Sequence, residues 1–140
     1  MTEPSVVVES AEVLEIAADE DVVKVRQAMR SLAIAAALSL VDQTKIVTAG
    51  SELARNTLIH GGGGKARIEL VRSSRRSGVR AVFADHGKGI PDVELALTDG
   101  YTTASGLGLG LSGSRRLVDE FDLDTEPGRG TTVTITKWGR

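Results

Sequence analysis

The chain contains no cysteine, which excludes a disulfide framework, a Cys-ligated zinc centre and thiol catalysis. Two histidines leave little for a His-based metal site. Aromatic residues make up 3% of the chain, so there is no stacking platform for single-stranded nucleic acid. Charge of one sign is also lacking. Against 17 Lys and Arg stand 19 Asp and Glu, a formal net charge of −2, and a strong positive field for nucleic-acid binding is missing. The most hydrophobic stretch, Leu32 to Val41, falls well below the ~18 residues that cross a bilayer. The N-terminal MTEPSVVVESAEV carries an acidic residue where a secretory leader needs a basic one. These absences point to a cytoplasmic protein with no membrane and no nucleic-acid partner, and the length of 140 residues fits a single domain over 1–140.

All 16 glycines lie at or after Gly50, so the first third has the composition of regular structure and the rest alternates short elements with loops. Val13 to Ala17 reads as a strand. Asp19 then reads as the N-cap of a helix whose apolar residues Val22, Val25, Met29, Leu32 and Ala36 keep three-to-four spacing. A second helix runs from Asp42 to His60 and is stopped by glycines 61–64. Lys65 to Val71 and Val79 to Asp85 form a β-hairpin around an Arg- and Ser-rich turn. A long loop from His86 to Gly106 precedes a third helix from Leu107 to Phe121. Leu123 to Glu126 and Thr131 to Trp138 close the chain as a second hairpin. The order predicts an α+β, two-layer α/β sandwich: a mixed, mostly antiparallel sheet with helices on one face.

Three segments carry chemistry. Glu52, Asn56 and His60 follow one another at i, i+4 spacing and form one stripe on the second helix, with Leu53 and Thr57 pointing elsewhere. An amide oxygen such as that of Asn56 suits Mg²⁺, which takes one or two protein ligands and completes its shell with phosphates and water. Glu52, one turn earlier, is placed to accept a proton from an attacking hydroxyl. Spacing alone is better served by a solvated helix face. The second segment is Asp85-His-Gly-Lys-Gly89, directly after a strand. Its glycines allow close approach of a flat ligand, and the Asp85 carboxylate can accept from an exocyclic amine such as adenine's. The third is Gly106-Leu-Gly-Leu-Gly110, leading into a helix whose amides can hold phosphate oxygens. Gly108 to Gly113 also matches G-x-G-x-x-G, but the polar residues before it lack strand character, as a dinucleotide fold requires. Gly61 to Lys65 fails as a phosphate loop, since Ile59 and Ala66 stand where Gly and Ser/Thr are needed.

In this order the segments resemble the GHKL (Bergerat-fold) ATPases: Ser51 to Asn56 the N box, Asp85 to Asp92 the first glycine box, and Gly106 to Gly110 the second. Within that superfamily the chain most resembles the RsbT-type serine kinases, through Ser51 to Asn56, Ile90-Pro-Asp92, Asp99-Gly-Tyr-Thr-Thr103, Arg116 to Phe121 and Thr136-Lys-Trp138. The resemblance implies a kinase that uses ATP and Mg²⁺ to phosphorylate a serine on a STAS-domain antagonist in a stressosome-like complex, with a downstream phosphatase or signalling enzyme as a further partner. It implies Glu52 as general base, Asn56 as Mg²⁺ ligand and Asp85 as the adenine-selecting carboxylate. Gly87 and Gly89 would shape the base pocket, Gly106, Gly108 and Gly110 would cradle phosphates, and Thr131 or Thr132 would reach adenine through water. Lys88 stands where relatives commonly carry proline; proline would stiffen that turn, and its replacement by lysine would loosen it.

Smaller features read plainly. Arg72, Arg75, Arg76 and Arg80 fit a solvated turn, Trp138 fits core packing, and His60 fits the negative end of a helix. Residues from Gly89 to Ser105 fit a lid over the nucleotide. Two alternatives remain within reach of the sequence: an anti-sigma factor kinase of the RsbW or SpoIIAB kind, and a non-catalytic, ATP-gated binding module.

Overall fold

The computed structural model describes residues 5–90, 93–97 and 110–139. Along the chain these form β1 (Val7–Ile16), α1 (Asp19–Ala35), α2 (Leu40–Ile59), β2 (Gly64–Arg72), β3 (Ser77–Asp85), α3 (Val93–Ala96), α4 (Gly110–Arg116), β4 (Glu120–Glu126) and β5 (Gly130–Trp138). The strands make one sheet in the order β1-β2-β3-β5-β4. Every neighbouring pair is antiparallel, so the sheet is purely antiparallel rather than mixed.

The core lies between this sheet and α1 and α2. Ala66 and Ile68 of β2, Val79, Ala81 and Phe83 of β3, and Val133 and Ile135 of β5 face Val25, Met29, Ala33, Ile46 and Leu53 of the helices. All are buried, and the period-2 and three-to-four spacings of the sequence put them there. The two helices touch closely at Gly50, where a Cβ would stand 1.9 Å from the Met29 sulfur.

Several boundaries differ from the sequence expectation. β1 begins at Val7, not Val13. It is an edge strand exposed over most of its length, so Val7 to Glu12 show no clear inward alternation, and its pairing with β2 slips between Val8 and Ser10. The N-cap of α1 is Ala18 rather than Asp19. Asp21 closes this end, its Oδ2 accepting from the amides of Ala17 (2.9 Å) and Ala18 (3.0 Å), and the Ala17 bond foremost lowers its carboxyl pKa. α2 starts two residues early, with Ser39 as N-cap accepting from the Asp42 amide at 3.1 Å. The third long helix shrinks to α4. Asp119, expected inside it, instead accepts from the Trp138 amide at 2.7 Å and donates its own amide to the Thr136 carbonyl, and β4 begins at the next residue.

Lys137 ties these parts together on the helix-facing side. Its buried Nζ lies 3.1 Å from Asp119 Oδ1 and 3.6 Å from Asp42 Oδ1, joining β5 to the first turn of α2 and to the segment after α4. Trp138 is buried as expected, but on the opposite face. Its cross-strand partner is Gly78, the Arg76 guanidinium sits 4.6 Å from the ring centroid, and Nε1 donates to Glu120 at 2.6 Å. The hairpin arginines are thus more engaged than a solvated turn requires: Arg72 pairs with Glu9, and Arg80 with Glu69.

Candidate functional site

The site gathers where α2 ends, β3 ends and β5 begins. On α2, Leu53 and Thr57 are buried in the core while Glu52 and Asn56 lie half-buried at the helix edge, so the carboxylate and the amide of the stripe share a partly open flank. His60 is the exposed C-cap residue. The helix stops as expected: the amides of His60 and Gly61 both donate to the Asn56 carbonyl, and Gly62 and Gly63 take positive φ of 72° and 105°.

That stop has a second effect which the sequence did not disclose. It lays Gly61 against Asp85, where an added Cβ would stand 2.4 Å from Asp85 Cγ and 2.6 Å from Oδ2. Asp85, at the end of β3, is held by two backbone donors: its Oδ1 accepts from the amides of Gly87 (2.9 Å) and Thr131 (3.2 Å). Oδ2 has no hydrogen-bond partner among the described residues. No buried side-chain polar atom among them is unsatisfied, so Oδ2 is open to solvent and ready to accept. Gly130 closes the other side, with φ of 107° and room for no Cβ beside the Asp85 carbonyl.

The turn 87–89 docks on the β4–β5 turn. Gly128 donates to the Lys88 carbonyl at 2.7 Å, and Gly89, at φ of 75°, packs against the Glu126 carbonyl. The stiffness that proline would give comes here from these tertiary contacts. Below it, Thr125 Oγ1 accepts from Ile90 (2.9 Å) and donates to the Gly130 carbonyl (3.2 Å). Its single proton is thereby used, so the 2.9 Å bond to Thr131 Oγ1 has Thr131 as donor. The ladder also separates the two threonines. Thr132 pairs with Ala84, and alternation puts both on the face away from Asp85, whereas Thr131 shares the Asp85 side. Sequence reasoning missed Gly61, Gly130 and Thr125: the glycines are revealed by their closeness to Asp85 in space, and Thr125 by its bonds to Ile90, Gly130 and Thr131.

Gly110 opens α4 with φ of 68°, which favours glycine, and Leu111 and Ser112 behind it are buried. Gly106 and Gly108 lie outside the described residues, as does most of the expected lid; of the latter, α3 is a short helix that was not foreseen. The residues in place fit a purine nucleotide: a carboxylate with one oxygen pinned and one free, in a cradle of glycines that Cβ atoms would fill. The amide oxygen of Asn56 likewise suits a hard divalent cation.

A half-open α/β sandwich with such a carboxylate at the end of its central strand defines an ATP-binding domain. The chain belongs to the family of histidine kinase-, DNA gyrase B- and HSP90-like ATPases, whose profile matches residues 41–138. It is 42% identical over 120 residues to the serine/threonine-protein kinase RsbT of Bacillus subtilis (strain 168), covering 86% of this chain and 90% of that one. It is 33% identical over 99 residues to an anti-sigma F factor of Thermoanaerobacter sp. (strain X514), covering 66% and 68%. Among solved structures, the RsbU and RsbW domains of Rv1364c from Mycobacterium tuberculosis superpose with a TM-score of 0.62 at 24% identity. The match covers 99% of this chain but spans only about a third of that one, and it speaks to the fold alone. The chain is thus a protein serine/threonine kinase of the RsbT kind, with ATP as its nucleotide. No described helix is long and apolar enough to cross a membrane.

Proposed function

We propose that this kinase transfers the γ-phosphoryl group of ATP to a serine of a STAS-domain antagonist, in the cytoplasm and within a stressosome-like complex, residues 1–140 acting as one domain. Glu52 orients the acceptor hydroxyl and takes its proton. Asn56 offers its amide oxygen to Mg²⁺. When bound, that ion neutralises charge on the triphosphate and on the phosphoryl group in flight. Asp85 Oδ2 accepts from the adenine amine, Gly87 and Gly89 keep the base pocket flat, and Gly106, Gly108 and Gly110 give their amides to the phosphates. Thr131, through its hydroxyl and a water, is the threonine beside adenine, and Thr132 has no part in the site.

The observation that carries this reading is the Asp85 carboxylate, clamped through Oδ1 by Gly87 and Thr131 and left free at Oδ2. The 42% identical kinase supports the transfer step. The test is incubation with labelled ATP, Mg²⁺ and purified STAS-domain proteins. Phosphoserine is expected on one of them, and Glu52→Gln should slow transfer by about 10²–10⁴-fold while ATP still binds. Transfer by Glu52→Gln at the wild-type rate would remove the base assignment. ATP uptake with no transfer to any acceptor would leave a nucleotide-gated binding module. The anti-sigma F factor relatives favour a second reading, in which the chain also sequesters a sigma factor; recovery of a sigma factor rather than a STAS protein with the endogenous chain would select it.

A further inference from the structure

The flank of α2 that carries Glu52 and Asn56 continues past them. Arg55 and Ile59 follow on the same face, three and seven residues after Glu52, and both are exposed. Beside them α1 runs antiparallel to α2, and the 3.1 Å bond from Arg26 Nε to Ser51 Oγ fixes its register. A cleft of about 360 Å³ opens between the two helices. Its middle is apolar, built from Val22 and Val23 of α1 and Leu58 and Ile59 of α2. Arg55 and Arg26 stand at the end nearer Glu52, and the antiparallel run places Asp19 at the other. Val23 and Ile59 are 44% and 53% exposed, so the apolar rim faces solvent. Arg26 is engaged with Ser51, whereas the Arg55 guanidinium has no hydrogen bond or ion pair among the described residues. One helical turn from Glu52 there is thus an uncommitted positive charge, and beyond it an open apolar trough.

We propose that this cleft selects the acceptor: Arg55 pairs with a carboxylate beside the acceptor serine, and the trough takes an apolar side chain of the same segment. The inference rests on the reading of Glu52 as the base of a serine kinase and adds the chemistry of the segment on which that base acts. Seven residues of helix separate Glu52 from Ile59, a rise of about 10 Å. An extended chain covers that distance in about three residues. A serine whose hydroxyl reaches Glu52 therefore sets its immediate neighbour over Arg55, and the side chain about three positions away over Val23 and Ile59. Charge adds selectivity at both ends. A lysine or arginine beside the serine meets like charge from Arg55 and Arg26, and a carboxylate at the far end meets Asp19. The segment that fits is a serine with an acidic residue next to it and an apolar residue about three positions off. Arg55 is thereby a specificity residue for the acceptor and takes no part in holding the nucleotide.

Steady-state transfer from ATP to the purified STAS-domain protein that the kinase phosphorylates tests this, with the full chain of each. Arg55→Glu and Ile59→Glu, made separately, should each raise the KM for the acceptor by about 10–100-fold and leave kcat at saturating acceptor unchanged. Val23→Glu reaches the same trough from α1 and should act as Ile59→Glu does. Calorimetric affinity for ATP should match the wild type in all three, which also shows that each has folded. Arg55→Lys should keep most of the acceptor affinity. An acceptor whose acidic residue beside the serine is changed to lysine should restore transfer by Arg55→Glu, a rescue that only direct pairing gives. A wild-type KM in Arg55→Glu and Ile59→Glu would overturn the proposal. So would a loss confined to kcat, which places Arg55 at the phosphoryl group, or an acceptor with no acidic residue next to its serine. The two readings fail separately: transfer to no acceptor removes the kinase reading and this inference with it, whereas Glu52-dependent transfer indifferent to Arg55 and Ile59 removes this inference alone.

Discussion

Replacing Gly61 by alanine isolates the carboxylate at the heart of the site. Gly61 is outside the positive-φ region, so alanine meets no backbone strain there. Its new Cβ, however, would stand 2.4 Å from both Cβ and Cγ of Asp85, about 1 Å inside ordinary contact. The Asp85 side chain must move by about that much. In moving it either lengthens the 2.9 and 3.2 Å bonds that hold Oδ1 or turns Oδ2 away from the nucleotide. Loss of one hydrogen bond to a charged group costs about 1.5–3 kcal/mol, so ATP affinity should fall by about 10–150-fold. Calorimetric titration with ATP and ADP at millimolar Mg²⁺ reads this directly. Gly62→Ala is the control. Its Cβ meets nothing within 4 Å, but its φ is 72°, so it should lose about 1–2 kcal/mol of stability and keep its affinity. Unchanged ATP binding by Gly61→Ala, or equal losses in the two variants, would refute the account of how Asp85 is positioned.

Three further outcomes are expected. Asn56→Ala should abolish the dependence of ATP affinity on Mg²⁺, read by repeating the titration with and without the ion; a retained Mg²⁺ effect would place the ion elsewhere. Burial alone would raise the Glu69 carboxyl pKa, but hydrogen bonds from Arg67 and Arg80 outweigh it and hold the group below the ordinary 4.5. A depressed native pKa contributes stability that is complete above about 4.5 and lost as pH falls through the native value. Urea unfolding on the acid side should therefore show a shallower loss of stability for Glu69→Gln than for the wild type. Ser39→Ala removes the bond to the Asp42 amide that caps α2; a loss of about 1 kcal/mol, or about 3 °C in Tm, should appear in thermal unfolding without change in ATP affinity.

The elements most legible in sequence were those with one buried side. α1 and α2 advertise themselves because Val22, Val25 and Met29, or Ile46 and Leu53, must return to the same face every three to four residues. The β2–β3 hairpin does so by alternation. Where burial is weak the signal fades, as along the exposed β1. Periodicity also misled. Leu117, Val118 and Phe121 continue the apolar spacing of α4, yet the backbone leaves the helix after Arg116, because Asp119 is claimed by Thr136 and Trp138 and β4 pairs with β5. The site showed the same division. Glu52 and Asn56 are recognisable because four residues make one helical turn, and Asp85 because glycines follow a strand.

What the amino-acid order determined by itself is thus local: which segments are helix or strand, which side chains share a face, and which glycines permit a turn. Those properties depend on neighbours a few residues away. Tertiary structure alone decided that a helix stop at Gly61 becomes a wall of the Asp85 pocket, that Thr131 rather than Thr132 stands beside the carboxylate, and that contacts from Gly128 and Glu126 brace the turn at Lys88. Each of these joins residues far apart in sequence, through van der Waals contact, strand parity or a single hydrogen bond, and no periodic signal encodes such meetings before the sheet has formed.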